Sequence, residues 1–223
     1  MSAKAPSADW VLPGRSAARK PNAVVQTGPS GLLLGTGSSG PVAIRLFGPR
    51  PIRLLVAVPE YVSWLLAFRC ISLGAHISIV SQDASRWQGL LDTLRACGGT
   101  ADLVRRGGVL PSQGRPYRPS LIIDDADHFD GAQAPLGHWQ AMMTLEDAAA
   151  PGAVYALRSC DMALVSPCDA KVTENLRRAY VLDNRQVKLC ANLDPNEVVL
   201  VMPRRIVRLP IPPTQSEYDL LFG

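Results

Sequence analysis

Four carboxylates and a histidine follow an apolar run in the middle of this chain: Leu121, Ile122 and Ile123 lead into Asp124, Asp125, Asp127, His128 and Asp130. An apolar strand that ends in aspartates is the arrangement of a Walker B strand, in which one carboxylate holds Mg²⁺ beside bound phosphate. The same acids could bind a divalent cation directly, because hard cations take carboxylate oxygens. A third reading needs no ligand: acids at the carboxyl end of a strand cap the next turn and stay in water. Asp124, Asp125 and Asp127 are therefore the candidate metal or nucleotide residues. The solvated cap is the reading to prefer unless a phosphate loop can be found.

The one segment with a phosphate-loop pattern fails on its context. Gly35, Gly37 and Gly40 match G-x-G-x-x-G, but in a dinucleotide site those glycines open a helix whose first amides hold the pyrophosphate. Here Pro41, Val42, Ala43, Ile44, Arg45, Leu46 and Phe47 alternate as a strand does. The glycines read as a turn between two strands. The Lys-Ser/Thr pair of a Walker A loop is missing as well. No cofactor is expected.

The remaining candidates are basic. Arg105, Arg106, Arg115 and Arg118 fall in a long loop of glycine, proline and arginine, and Arg204, Arg205 and Arg208 fall on a closing hairpin. Arginine suits protein interfaces because its planar fork pairs with carboxylates and is less costly to desolvate than lysine. These seven are the candidate partner-binding residues, set against the plain alternative of a solvated loop. Nucleic acid is not the expected partner, because 23 basic residues against 19 acidic ones leave only a mild positive balance.

Five cysteines, none in a C-x-x-C pair or at ligand spacing from a histidine, read as reduced thiols. No basic-then-apolar leader opens the sequence, so no export is expected. Arg53, Glu60 and Arg69 interrupt the most apolar region, so direct membrane insertion is not expected either. The expected location is cytoplasmic.

The elements that must position these residues centre on Arg53 to Asp83. Leu54–Val58 is a short apolar block, Glu60–Leu73 carries apolar residues nearly all round a helix, and His76–Val80 is a second β-rich block. Strand, helix and strand of these lengths predict a βαβ unit, with Glu60–Leu73 as the central buried helix. Asp83 is a plausible N-cap for a helix with Trp87, Leu90, Leu91 and Leu94 on one stripe. Trp87 reads as a core anchor there, not a stacking platform. Further strands are expected at Ala101–Val104, Leu121–Ile123, Trp139–Leu145 and Met162–Val165, with a short helix near Pro151–Leu157. Ser166, Pro167 and Asp169 read as a helix start with Ser166 as N-cap. A short helix at Arg185–Asn192 and a hairpin of Val198–Val201 with Ile206–Leu209 close the domain.

The fold class that follows is α/β: a mainly parallel, Rossmann-like sheet with helices on both faces, plus N-terminal and C-terminal β-hairpins. Residues 1–26 read as a disordered arm, 27–209 as a single domain and 210–223 as an extended tail. Tyr218, Leu220, Leu221 and Phe222 in that tail could dock on the domain or on a partner.

Several segments carry a family likeness: GLLLG, PVAIRLFGPRPIRLLVAV, LLAFRCISLGAHISIVSQDASRWQGLL, WQAMMTL, CDMALVSP and LCANLDPNEVVLVMPRRIVRLPIPPT. Together they resemble the soluble C-terminal region of EccE-type components of the actinobacterial type VII (ESX-type) secretion system, over Gly31 to Thr214. The resemblance implies a domain on the cytosolic side of the inner membrane, in complex with other secretion proteins and with no known enzymatic role. EccE proteins usually begin with membrane helices, and no such segment appears here; attachment to the membrane would then run through partners. Two function classes stand. One is a non-catalytic interaction module of a secretion complex. The other is a degenerate FtsK/SpoIIIE-like nucleotide-binding domain that lacks a Walker A loop but keeps the acidic strand end.

Overall fold

The computed structural model describes residues 31–38, 40–105, 108–125 and 135–223. Eight strands form one sheet: β3 (Ile52–Ala57), β4 (His76–Ser81), β5 (Thr100–Val104), β6 (Ser120–Asp125), β7 (Gln140–Leu145), β8 (Met162–Val165), β9 (Glu197–Met202) and β10 (Arg205–Pro210). They are ordered β10-β9-β8-β3-β7-β6-β4-β5. The six strands from β8 to β5 run parallel, while β9 and β10 close the other edge antiparallel. Two strands stand outside this sheet: β1 (Leu32–Gly37) and β2 (Gly40–Ile44), paired antiparallel. The glycine segment thus closes a hairpin, as its flanking alternation requires.

The expected βαβ unit forms, but its two strands are not neighbours. β7 and β6 lie between β3 and β4. Burial explains the placement: β6 hides Ser120 to Asp124 on both faces, so it needs a neighbour on each side, whereas β5 exposes Thr100 and Asp102 and suits an edge.

Strand alternation divides the core into layers. Leu54, Val56, Ile77, Ile79, Leu121, Ile123 and Leu164 face one side, with the buried residues of α1 (Glu60–Ile71) and α2 (Ala84–Ala96) and with Leu32 and Leu34 of the hairpin. Leu55, Ala163, Val165, Val199 and Val201 face the other, against α3 (Ala153–Ser159) and α4 (Ala170–Tyr180). Helices therefore cover both faces, and α1 hides Val62, Leu65, Leu66, Ala67 and Cys70 as its near-continuous apolar surface demands.

Helix ends show which local signals dominate. Asp83 caps α2 by accepting from the amides of Ser85 and Arg86. At α4 the expected Ser166 cap is displaced by Asp169, whose carboxylate accepts from the Val172 amide at 2.7 Å. The aspartate stands immediately before the first helical residue and so reaches an orphan amide that Ser166 cannot. Residues read as one helix at 185–192 divide into α5 (Asn184–Val187) and a 3-10 turn at Lys188–Cys190.

The tail read as extended over 210–223 is instead helical at its end, where α6 (Gln215–Leu221) packs onto α1 and α2. Thr214 and Glu217 form a reciprocal capping box there. Pro210, Pro212 and Pro213 suggest extension, but Thr-x-x-Glu before apolar residues is a helix start, and that signal prevails. Residues 1–26, read as an arm, lie outside the described residues. Among the described residues, no helix is long and apolar enough to cross a membrane.

Candidate functional site

The chain leaves β3 through α1 toward β4 on one side, and later crosses from β7 through α3 to β8 on the other. β3 is thus the point where the sheet's winding reverses, which in open α/β sheets is where ligands bind at the carboxyl ends of the strands. A cleft of about 550 Å³ lies there. Its walls are Val58, Pro59, Glu60 and Ser63 at the β3–α1 junction, Arg86 of α2, Asp125 of β6, Glu146 and Asp147 after β7, and Ser166, Pro167 and Asp169 after β8.

The β3–α1 junction is where a phosphate loop would present amide N–H groups. Here it carries Pro59, which has no N–H, as the residue before the helix, and then Glu60 in the first turn. A carboxylate occupies the position that favours an anion. Among the described residues, Glu60, Asp125, Glu146, Asp147 and Asp169 line the cleft with a single guanidinium, that of Arg86. Burial, followed by the neighbouring charge of Asp147, pushes the Glu146 carboxyl above its ordinary range. Such a lining repels phosphate and favours a cationic group.

Asp125 is already committed. Its Oδ1 accepts from Arg86 Nη1 at 2.9 Å, and its Oδ2 accepts from Trp87 Nε1 at 2.6 Å and from Ser81 Oγ at 3.1 Å. Arg86 also donates through Nε to Glu60 Oε1 at 2.6 Å, and lies 5.6 Å from the Trp87 ring centroid. The guanidinium therefore ties the first turn of α1 to the end of β6, in a geometry suited to charge-assisted bonds. Asp124 and Asp125 do not stay solvated as strand-end caps would. Asp124 is 2 % exposed, and only 12 % of the Asp125 side chain reaches solvent. Asp127, with His128 and Asp130, lies outside the described residues. Among the described residues no group of three side chains is placed to hold a metal ion.

The arginines do not form one patch. Arg105 is exposed after the carboxyl end of β5, and Arg106 lies outside the described residues. Arg115 and Arg118 sit at the opposite, amino-terminal edge of the strands, where their backbones pair across Pro116 and Tyr117 at 3.0 Å. Arg115 Nη1 donates to the Tyr117 hydroxyl at 2.8 Å. Close by, Phe47, Pro49, Leu73, Pro116, Pro119 and Trp139 line an apolar groove of about 390 Å³. Arg204 and Arg205 are exposed at the β9–β10 turn on the same edge, several strands away. Arg208 is held by Glu197 and by the carbonyls of Ala191 and Asn192, so its donors are occupied.

Glu60, Ser81, Arg86 and Trp87 do not announce themselves as site residues in the sequence. Glu146 and Asp147 carried a usable signal: like Asp124 and Asp125, they directly follow an apolar strand.

No protein-family model matches the sequence, and no curated protein matches it. Among solved structures, that of VirB4 of Thermoanaerobacter pseudethanolicus superposes with a TM-score of 0.58 at 9 % sequence identity, covering 87 % of this chain and 100 % of that one. At this identity the likeness is one of fold. It agrees with the mostly parallel, Rossmann-like sheet described above.

Proposed function

We propose that this chain is a non-catalytic interaction module of a secretion complex, related to the cytosolic EccE region of type VII systems. It keeps the shape of a motor's nucleotide cleft without the means to grip phosphate. One observation carries the reading: the β3–α1 junction offers Pro59 and Glu60 where a phosphate loop would offer amides, and the strand-end acid Asp125 is bonded to Trp87, Ser81 and Arg86. Positioning a triphosphate among these carboxylates forfeits the main electrostatic contribution to phosphoryl transfer. The likeness of fold to VirB4, a secretion-system component, supports a secretion-related role. In this reading the partners are other proteins of the complex, and the domain works on the cytoplasmic side of the membrane, held there by them.

The second reading, a degenerate FtsK/SpoIIIE-like nucleotide-binding domain, draws support from the position of the cleft at the winding reversal and from the VirB4 fold. Calorimetry with Mg·ATP and Mg·GTP, together with a phosphate-release assay, separates the two. The interaction module shows neither binding heat nor turnover. Turnover that survives purification and disappears in Asp124→Asn would establish the nucleotide reading instead. Co-purification from the native cell tests the partner side, with Arg115→Glu/Arg118→Glu and Arg204→Glu/Arg205→Glu as separate variants because their surfaces are separate.

A further inference from the structure

The cleft at the carboxyl ends of the strands holds polar groups that the fold itself does not use. Ser63 and Ser166 line it at 3 % and 8 % exposure, and neither hydroxyl is hydrogen-bonded among the described residues. Buried hydroxyls are ordinarily paired, because an unmet one costs the desolvation of the group. Among the described residues, the unpartnered polar atoms that are sealed from solvent belong to Trp64, Ser120 and Tyr180. The two serine hydroxyls therefore keep an opening, and the cleft is what they line. Asp169 takes the capping position at α4, which leaves Ser166 without the amide it would otherwise bind.

Three of the lining acids are in a similar condition. Arg86 is already divided between Glu60 and Asp125. Asp147 and Asp169 each spend one oxygen on a backbone amide, that of Ala149 at 2.8 Å and that of Val172 at 2.7 Å. The Glu146 carboxylate spends neither of its own, and no cation pairs with any of the three among the described residues. The walls around them are apolar, with Val58, Leu145, Ala148, Val165 and Val172.

We propose, on the reading of this chain as an interaction module, that the cleft receives an arginine side chain of a partner protein, its guanidinium donating to Glu146, Asp147 and Asp169 and to the two serine hydroxyls. A long side chain with an apolar stem and a charged head matches apolar walls that surround carboxylates and hydroxyls. A bare metal ion needs a compact set of oxygens instead, and among the described residues no group of three side chains is placed to supply one. The acceptors stand on separate elements: Ser63 in α1, Glu146 and Asp147 after β7, Ser166 and Asp169 after β8. A guanidinium reaches such a spread better than an ammonium does, because it carries five N–H donors in a fixed plane against three on one nitrogen. The raised Glu146 carboxyl, pushed up by burial and then by Asp147, is what a carboxyl without its cation shows.

The test is a titration of the full, nitrogen-15-labelled chain followed by amide chemical shifts. The probes are the blocked tripeptide Ala-Arg-Ala, the same peptide with neutral citrulline for arginine, free spermidine and Mg·ATP. The arginine peptide should shift the amides of Ser63, Glu146, Asp147 and Ser166 and bind at least about tenfold more tightly than the citrulline peptide, since the difference is that of charge-assisted bonds. Glu146→Gln/Asp147→Asn should remove about the same factor. Equal binding of the two peptides, shifts confined to other surfaces, or spermidine that holds the cleft against the arginine peptide would overturn the proposal. If the double variant fails to fold, the comparison of the two peptides on the unmutated chain decides alone. No arginine-peptide shifts in a chain that still co-purifies its partners would remove this site and leave the interaction module standing. Saturable shifts of the same amides by Mg·ATP would overturn both.

Discussion

Trp87 Nε1 donates to Asp125 Oδ2 at 2.6 Å, from an indole that is fully buried to a carboxylate at the rim of the cleft. The bond fixes α2 against the end of β6 and turns the strand-end acid into a structural acceptor. Removing the carboxylate strands the indole N–H, and a buried donor without a partner is costly. Asp125→Ala should therefore lower stability by about 3 kcal/mol, while Asp125→Asn, which keeps one carbonyl acceptor, should cost clearly less. Urea unfolding of the three proteins decides the matter. Equal, near-zero effects would mean that the acid is held for a ligand and not for the fold.

Trp64 of α1 stacks on Phe222 with ring centroids 6.3 Å apart, and its indole nitrogen is buried with no partner. The ring contributes by area and stacking, not by its polar tip. Trp64→Ala should cost roughly 3 kcal/mol and loosen α6, whereas Trp64→Phe should recover most of that loss because it deletes the orphan donor. Amide hydrogen exchange across Gln215–Leu221 provides the local readout. Unchanged exchange there in Trp64→Ala would show that α6 docks without this ring.

Arg69 binds both carboxylate oxygens of Glu217, at 2.7 Å and 2.9 Å, and also donates to the Leu34 and Pro212 carbonyls. Burial raises the Glu217 pKa, but the bonds from Arg69 and Thr214 outweigh it and hold the group below the ordinary value of 4.5. A carboxyl depressed in the folded state contributes stability that is present above its unfolded value and is lost as pH falls through the folded one. The chain should therefore lose stability from near pH 4.5 downward, and Glu217→Gln should flatten that part of the profile. Superimposable acid limbs in the two proteins would remove Glu217 from the account.

Val181 ends α4 in the left-handed region, at φ 56 and ψ 52, and the residue is 68 % exposed. A β-branched residue is strained there and gains no packing in return, while glycine is the usual occupant of this position. Val181→Gly should raise stability by about 1 kcal/mol, net of the entropy that glycine adds to the unfolded chain. Thermal melting shows the sign directly. A lower melting temperature would mean that the Val181 side chain makes a contact worth more than the strain.

The sequence alone determines what acts over a few residues. Asp83 must cap a helix because its side chain reaches the next amides, and Gly35 to Gly40 must turn a hairpin because Pro41 to Phe47 alternate. The α/β class and the buried α1 follow from the same short-range periodicity. Even the closing helix was legible, through Thr214 and Glu217, beneath a run of prolines that points the other way. The tertiary structure alone decides what joins distant segments. Trp87 finds Asp125 across 38 positions, and β6 and β7 separate β3 from β4 only because strands buried on both faces need partners on both sides. Arg105 stands at the carboxyl end of β5 while Arg115 and Arg118 lie at the opposite, amino-terminal end of the strands, just before β6. The acidic cleft exists only once four separate strands end side by side. Local propensity carries no information about which strands become neighbours; burial of both faces of a parallel sheet does.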